Sequence, residues 1–598
     1  MVTKDFKGRL KILSITVMVV IFILIARLGF LQVYDGEYYA GLADGNRIRL
    51  IPAMAPRGIF YDRNGNLLVS NRPGFTVSLL PLTAPISEDV IDRLSTLLKV
   101  DKTEIHKKID QHSGFDPIRI KTDIDAEVLT IIEEQKEAYP GVVIEVQPIR
   151  NYINMDMAAH VFGYVSEISD EELVKRKDEG YRSGDIIGKF GLEKVYDKEL
   201  RGTDGGEQVE VDVTGKPVQI LGRKEPIPGA NLTLTIDENI QQVAEKAIDE
   251  QLFKIHAKAA AAVVLNPKTG EVLAMVSRPA FNPNLFARGI SSKDWKKIND
   301  NPNFPLDNKA ITGEYPPGSP FKIVTGTAAL SEGKVGPDEM IFDSGRHWII
   351  PKVNSEGEAL GWISFKTALA HSDNVYFYEM GNRLGIDKLE EYGRMFGLGA
   401  RTGINLPYES DGLVANRAYK RKVFDDDWYL SETFDAAIGQ GFNLVTPLQI
   451  AVVMSEIANG GIRYKPYLVK QITDPKGQVL KDFKPEELGR LAVSPDIIKL
   501  VQDGLREVTT IGTAASSFGK DFPVKIAGKT GTAENSQGKD HGWFIAYGPF
   551  DDPNIVVAVI VEQGGFGSQS AVPIGKKILE AAFGIVNPEE AAQDTAQK

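Results

Sequence analysis

The stretch ILSITVMVVIFILIARLGFL, Ile12 to Leu31, holds twenty residues with Arg27 as its only charge. A helix of that length rises about 30 Å, the thickness of a bilayer's hydrocarbon core. In lipid a lone segment can satisfy its backbone polar groups only as a helix, so this run dictates one membrane-spanning helix. No second run of this kind occurs in the sequence. Arg27 sits toward one end, where its side chain can snorkel to the interface. The preceding MVTKDFKGRLK carries Lys4, Lys7, Arg9 and Lys11 against Asp5. Such a basic flank stays in the cytoplasm. The expectation is a cytoplasmic segment 1–11, a transmembrane helix 12–31 with the N-terminus inside, and an exported body. A cleaved signal peptide is the competing reading, disfavoured by the length of the run and by the want of a clean A-x-A site.

The 598 residues are too many for one core, so several structural units are expected. A content of 42% hydrophobic and 25% charged residues leaves room for disorder only at the ends, as in the polar tail 586–598. The net charge of −12 argues against a nucleic-acid partner. The chain has no cysteine, which excludes disulfides, thiolate metal sites and a cysteine nucleophile. Its seven histidines show no metal-ligand spacing, so neither a metal nor another cofactor is expected.

Along the exported body, Asn64-Gly65 between apolar alternations marks a hairpin. EDVIDRLSTLLKV and AEVLTIIEEQKEAY read as short helices of an inserted lobe at about 73–140. The turn-rich GRKEPIPGAN, Gly222 to Asn231, marks a boundary between a domain at 32–228 and a larger one at 229–585. In the latter, NLTLTIDENIQQVAEKAIDEQL reads as a strand entering a helix, and AAAVVLNPKTGEVLAMVS as a hairpin turning at Asn266 to Gly270. VVAVIVEQGG is a buried strand and IGKKILEAAF a closing helix, while EQGGFGSQSAVP reads as a mobile loop from its glycines. The class is α+β, multi-domain.

GEYPPGSPFKIVTGTAAL places Lys322 three residues after Ser319. Spacing alone decides nothing, because Ser-x-x-Lys recurs at Ser331, Ser517 and Ser536. Those three have glycine between serine and lysine, which suits loops. Ser319 instead follows Gly318 and precedes Ile323, Val324, Ala328, Ala329 and Leu330. On the first turn of a buried helix, residue i+3 shares the serine's face, and a desolvated lysine can accept its proton. A helix cap remains an equal reading of Ser319 taken alone. Two further motifs change that balance. Ser372-Asp373-Asn374 opens an apolar helical run 53 residues on, and Lys529-Thr530-Gly531-Thr532 follows Ser372 by 157 residues. A second Lys-Thr-Gly at Lys268 lies in the hairpin turn, where it is ordinary turn chemistry.

Together the three motifs match the set of class A β-lactamases and penicillin-binding proteins. With RGIFYDRNGNLL, AAHVFGYV, GKFGLEKVYDKELRG and AIGQGFNLVTPLQIA, nearly the whole chain resembles a class B penicillin-binding protein of the cell-elongation type. The resemblance implies a mixed α/β pedestal followed by a transpeptidase domain, an antiparallel sheet covered by helices, as in serine β-lactamases. It implies cross-linking of peptidoglycan stem peptides ending in D-Ala-D-Ala, with β-lactams acylating the same serine. Ser319 would be the nucleophile and Lys322 its base. Ser372 would relay a proton to the leaving D-alanine, and Asn374 would hold the substrate amide and position Lys322. Lys529 would supply positive charge, with Thr530, Gly531 and Thr532 at the substrate carboxylate. Backbone N–H groups of Ser319 and Thr532 would form the oxyanion hole. A membrane glycan polymerase of the SEDS family and rod-shape scaffold proteins would be partners, and the catalytic domain would lie in the periplasm.

A class A β-lactamase would need a Glu-x-x-Leu-Asn loop between Asn374 and Lys529, and none occurs. A D,D-carboxypeptidase, or a non-catalytic β-lactam sensor or scaffold, are the alternatives. His371 and Asp373 flank Ser372, but neighbouring side chains diverge and build no triad. Asp373 reads as a tolerated middle residue. His541 reads as support for a strand, and Trp543 and Phe566 as either groove lining or packing.

Overall fold

Thr3–Gly29 forms helix α1, which a π-turn over Phe30–Tyr34 prolongs. In this computed structural model, which describes residues 3–35, 48–80, 86–111, 117–211, 217–519, 522–536 and 538–585, Gly8–Tyr34 is long and apolar enough to cross a membrane. Its apolar side chains stand exposed all round, Phe22 at 71%, as a helix meant for lipid requires. The expected tail 586–598 falls outside the described residues.

The chain packs as two units. The first comprises Met1–Pro56, Pro73–Pro148 and Gly202–Pro228. The helix Glu88–Leu98 there is capped by Ser87, which accepts from Val90 N. Its Val90, Ile91, Leu94 and Leu98 recur at helical spacing and bury against Ile105, Ile120 and Ile132. The strand Ile118–Lys121 pairs antiparallel with Val77–Leu79. Elsewhere in this unit Ile48–Ala53, Gly205–Val211 and Pro217–Lys224 form a three-stranded antiparallel sheet.

The second unit comprises Arg57–Arg72, Ile149–Arg201 and Gly229–Lys598. The segments 57–72 and 149–201 therefore share a unit with 229–598, and the chain leaves the first unit for the last time at Pro228. The hairpin marked by Asn64-Gly65 is present: Asp62 Oδ1 accepts from Asn64 N and Asn66 N, and Gly65 has φ +90°. Nearby, Glu193 is fully buried and bonds two arginines, Arg57 Nη2 at 2.8 Å and Arg150 Nε at 2.6 Å. Arg57 Nη2 also lies 2.9 Å from Asp197.

Helix α2, Glu238–Ile255, leads into an antiparallel sheet of five strands: β1 Ala260–Leu265, β2 Val272–Arg278, β3 Ala527–Ala533, β4 His541–Gly548 and β5 Ile555–Val561. Their spatial order is β2-β1-β5-β4-β3, which leaves β3 at an edge. Along β1, Ala260, Ala262 and Val264 pack with Ile240, Ala244 and Ile248 of α2, while Ala261, Val263 and Leu265 belong to a core on the other face. That core takes in helix α3, Lys322–Ser331, helix α4, Asn374–Leu384, and helix α5, Pro447–Ala458. Helices on both faces explain why the strands read as unbroken apolar runs.

The glycine-rich segment after β5 is a correction to the sequence reading. Helix α6 spans Gly567–Ala582, so most of the expected mobile loop is the helix's opening turns. A Cβ on Gly567 would come within 2.2 Å of Trp543 O and 2.3 Å of Gly531 O. The glycine there serves close packing of α6 against the sheet.

Candidate active site

Gly318 holds φ +57° and bonds Gly439 O through its N–H. A Cβ at Gly318 would lie 2.8 Å from Thr532 O, so only glycine brings this turn up to β3. Ser319–Phe321 then form one 3₁₀ turn that runs into α3. That places Ser319, half-buried, beside Lys322, which is wholly buried.

Ser372 ends the helix Phe365–His371 in the left-handed region, φ +60°. A non-glycine residue there is strained, and only a well-fixed neighbourhood holds it in place. Asp373 supplies part of that fixing. It caps α4, its Oδ1 accepting from Tyr376 N at 2.6 Å. The sharp turn between two helices aims the Ser372 hydroxyl at Ser319, Oγ to Oγ 2.8 Å. Lys322 Nζ lies 2.7 Å from Ser372 O, 2.6 Å from Asn374 Oδ1 and 3.3 Å from Ser372 Oγ. A neutral amine has two N–H bonds and one lone pair. The two short contacts can take its hydrogens, and the Ser372 hydroxyl, which donates to Ser319 Oγ, faces the nitrogen at the longer distance. Burial lowers Lys322 to about 7, against the opposing pull of Asp373. Burial, with Asp343 alongside, raises the Asp373 carboxyl. Asp373 is thus a buried structural cap, not the merely tolerated residue that the sequence suggested.

β3 brings Lys529, Thr530, Gly531 and Thr532 to the same site. Gly531 lies flat against the nucleophile turn: a Cβ would meet Pro320 Cδ at 2.4 Å. Thr532 is half-buried, and its carbonyl accepts from Gln440 Nε2 at 3.3 Å. The Thr530 hydroxyl pairs with that of Thr513 at 2.6 Å. Lys529 is wholly buried and bonds Thr530 O at 2.9 Å. Burial holds its ammonium well below the usual lysine range, and the Lys322 charge adds to the effect. A carboxylate entering beside it would reverse that balance.

All the residues singled out by motif therefore converge, and the repeated motifs do not. Ser331 closes α3, Ser517 lies in the short helix Ala515–Phe518 and Ser536 in a turn. Lys268 stays in its hairpin turn, paired with Asp552. Trp543 is packing: it is wholly buried and its Nε1 donates to Pro316 O at 3.0 Å, bracing the turn before Ser319. His541 Nδ1 accepts from Gln563 N, and its ring meets Tyr315 edge-on. Thr513 and Asn354 were not singled out by sequence, and Gly439 and Gln440 were marked only as part of AIGQGFNLVTPLQIA. Gly-Gln-Gly at 439–441 was the visible signal, since Gly439 and Gly441 both adopt positive φ.

Residues 260–580 match the model of the penicillin-binding protein transpeptidase domain. The chain belongs to the penicillin-binding protein family. Residues 52–234 match the penicillin-binding protein dimerisation domain. The peptidoglycan D,D-transpeptidase MrdA of Acinetobacter baumannii is 34% identical, over 96% of this chain and 87% of that protein. A chain solved within a peptidoglycan synthase complex that coordinates polymerization and crosslinking is 33% identical, with TM-score 0.73 over 97% of this chain and 99% of that one. PBP2 of Helicobacter pylori, solved in complex with MreC, is 26% identical, with TM-score 0.76 over 90% of this chain and all of that one.

Proposed function

We propose that this chain is a peptidoglycan D,D-transpeptidase that cross-links stem peptides during cell-wall elongation through a Ser319 acyl-enzyme, and that β-lactams acylate the same serine. The observation that carries the reading is the hydroxyl of Ser372 standing between Ser319 Oγ and the buried Lys322 amine. Ser319 Oγ attacks the penultimate D-alanine carbonyl of a donor peptide. Its proton passes through the Ser372 hydroxyl to the lone pair of Lys322. Backbone N–H groups of Ser319 and Thr532 stabilise the oxyanion, the kind of preorganised charge stabilisation that dominates acyl transfer. The tetrahedral intermediate collapses, the C–N bond breaks, and the proton returns from Lys322 through Ser372 to the departing D-alanine amine. An amine of a neighbouring stem peptide then attacks the ester and regenerates Ser319.

Binding is a consequence of the fold. An extended peptide can add beside β3, the last strand of the sheet, by main-chain hydrogen bonds. Asn374 accepts the peptide's amide, and Lys529, Thr530, Gly531 and Thr532 take its terminal carboxylate. On this reading residues 229–585 are the transpeptidase domain and 32–228 the pedestal, with the head lobe at about 73–140. α1 anchors the protein in the cytoplasmic membrane with the catalytic domain outside. A membrane glycan polymerase of the SEDS family and a rod-shape scaffold protein are its partners, in keeping with the synthase and MreC complexes of the two solved relatives.

The test is labelling with a fluorescent penicillin. Wild type and Ser517→Ala label covalently, and Ser319→Ala, still folded, does not. Equal labelling of Ser319→Ala overturns the assignment.

A further inference from the structure

Asn354 lies behind the Ser372-Asp373-Asn374 turn, in a stretch that no motif marks. It is 6% exposed, and its carboxamide is used on both faces. Oδ1 accepts from the backbone N–H of Asn374 at 2.7 Å and of Val375 at 3.0 Å, two of the donors that open α4. Nδ2 lies 2.9 Å from Asp373 Oδ2, 3.0 Å from Asp343 Oδ2 and 2.9 Å from Glu358 O, so its two N–H bonds are shared among three acceptors. The two carboxyls it joins are themselves buried, Asp343 at 1% and Asp373 at 3% exposure. Asp343 is fixed in turn by Gly345 N and Leu360 N, each at 2.7 Å. The preceding residue grips the same target from outside, since Val353 O faces Asn374 Nδ2 at 3.5 Å. Ser372 and Asn374 supply the two short acceptors that hold Lys322 Nζ. The turn that carries those acceptors is thus held from behind by one side chain.

We propose that Asn354 is a positioning residue for acylation: its carboxamide clips Asp343 to Asp373 and clamps the first turn of α4, so that Ser372 and Asn374 hold the Lys322 amine against the Ser372 hydroxyl that reaches Ser319. Only a neutral amide fits these demands. It must donate toward two carboxyl groups and accept from two backbone N–H groups at once. Alanine supplies neither half. Aspartate keeps the acceptor but has no N–H, and it puts a third carboxyl beside two buried ones. A displacement of about 1 Å at such a site can cost about a hundredfold in rate, without touching a group that contacts substrate.

This inference rests on the acyl-enzyme reading of the same site, and one experiment separates the two. Full-length protein in detergent is mixed with fluorescent penicillin. The dissociation constant of the pre-covalent complex and the limiting acylation rate constant are fitted separately. If wild type does not acylate at Ser319, the proposed function fails and this inference falls with it. With wild type active, Asn354→Ala loses about tenfold or more in the rate constant, while the pre-covalent constant stays within about twofold. Asn354→Asp loses at least as much. Both variants keep a cooperative thermal transition. A wild-type rate in either variant overturns the proposal. So does an equal loss of affinity and rate, or a failure of both variants to fold, each of which assigns Asn354 a purely structural role.

Discussion

Ser372 Oγ lies 2.8 Å from Ser319 Oγ, while Lys322 Nζ lies 3.3 Å from Ser372 Oγ. On the proposed mechanism the hydroxyl is the bridge between nucleophile and amine. Ser372→Ala is therefore expected to fold and to lose about 10²- to 10⁴-fold in acylation rate, the usual weight of a general acid–base step. Stopped-flow acylation by a fluorescent penicillin measures it. A loss of less than about threefold would show that Lys322 reaches Ser319 without the bridge.

On the proposed mechanism Lys322 acts only as the free amine. Burial lowers it to about 7, so the working form prevails above that pH and the protonated form below it. Acylation should rise with pH, by about tenfold per unit below the midpoint, and level off above it. The rate constant measured from pH 5.5 to 9 tests this. A profile still climbing at pH 9 would place Lys322 in its ordinary range.

Glu193 joins Arg57 and Arg150 with no exposure to solvent. Removing one member of a buried ion cluster leaves the others uncompensated, which typically costs about 3–5 kcal/mol. Glu193→Ala should lower the stability of its unit by that amount, read by urea unfolding. A loss under about 1 kcal/mol would mean that water or Asp197 takes over.

Glu456, on α5, is 1% exposed, and neither carboxylate oxygen has a hydrogen-bond partner among the described residues. Burial raises it to about 8, and Arg463, 3.8 Å away, only partly opposes this. A carboxyl raised on folding favours the native state at low pH, and that contribution is lost as pH climbs from about 4.5 through about 8. Glu456→Gln stays neutral throughout. The thermal midpoint of the variant should therefore gain on wild type from pH 5 up to about pH 8 and level off above it. A constant difference would refute the shift.

The convergence of the three motifs was legible because each motif is short and locally complete. Ser319 and Lys322 share one helical turn, Ser372 and Asn374 flank one cap, and Lys529 to Thr532 occupy one strand. The hairpin at Asn64-Gly65 and the turn at Asn266 to Gly270 were legible for the same reason. What escaped depends on distant partners. Asn354 sits in Val-Asn-Ser-Glu-Gly, which reads as a plain turn, and its role appears only when Asp343 and Asp373 come to it. Glu193 is separated from Arg57 by 136 residues. Gly567 looked like freedom in the sequence, while in the fold it is contact, because the backbone of β4 leaves no space for a Cβ.

β3 is the last strand of its sheet, and a sheet's last strand is where an extended chain, including another copy's strand, can pair. Proteins commonly guard such edges with an inward lysine. Lys529 occupies that post, held short of its full charge by burial. A strand arriving by its middle brings nothing to balance it. A strand arriving by its free carboxyl end does. If Lys529 takes the substrate carboxylate as proposed, the edge discriminates by the end of the chain before it reads any side chain, and the residue that welcomes a terminus also turns away unwanted self-association.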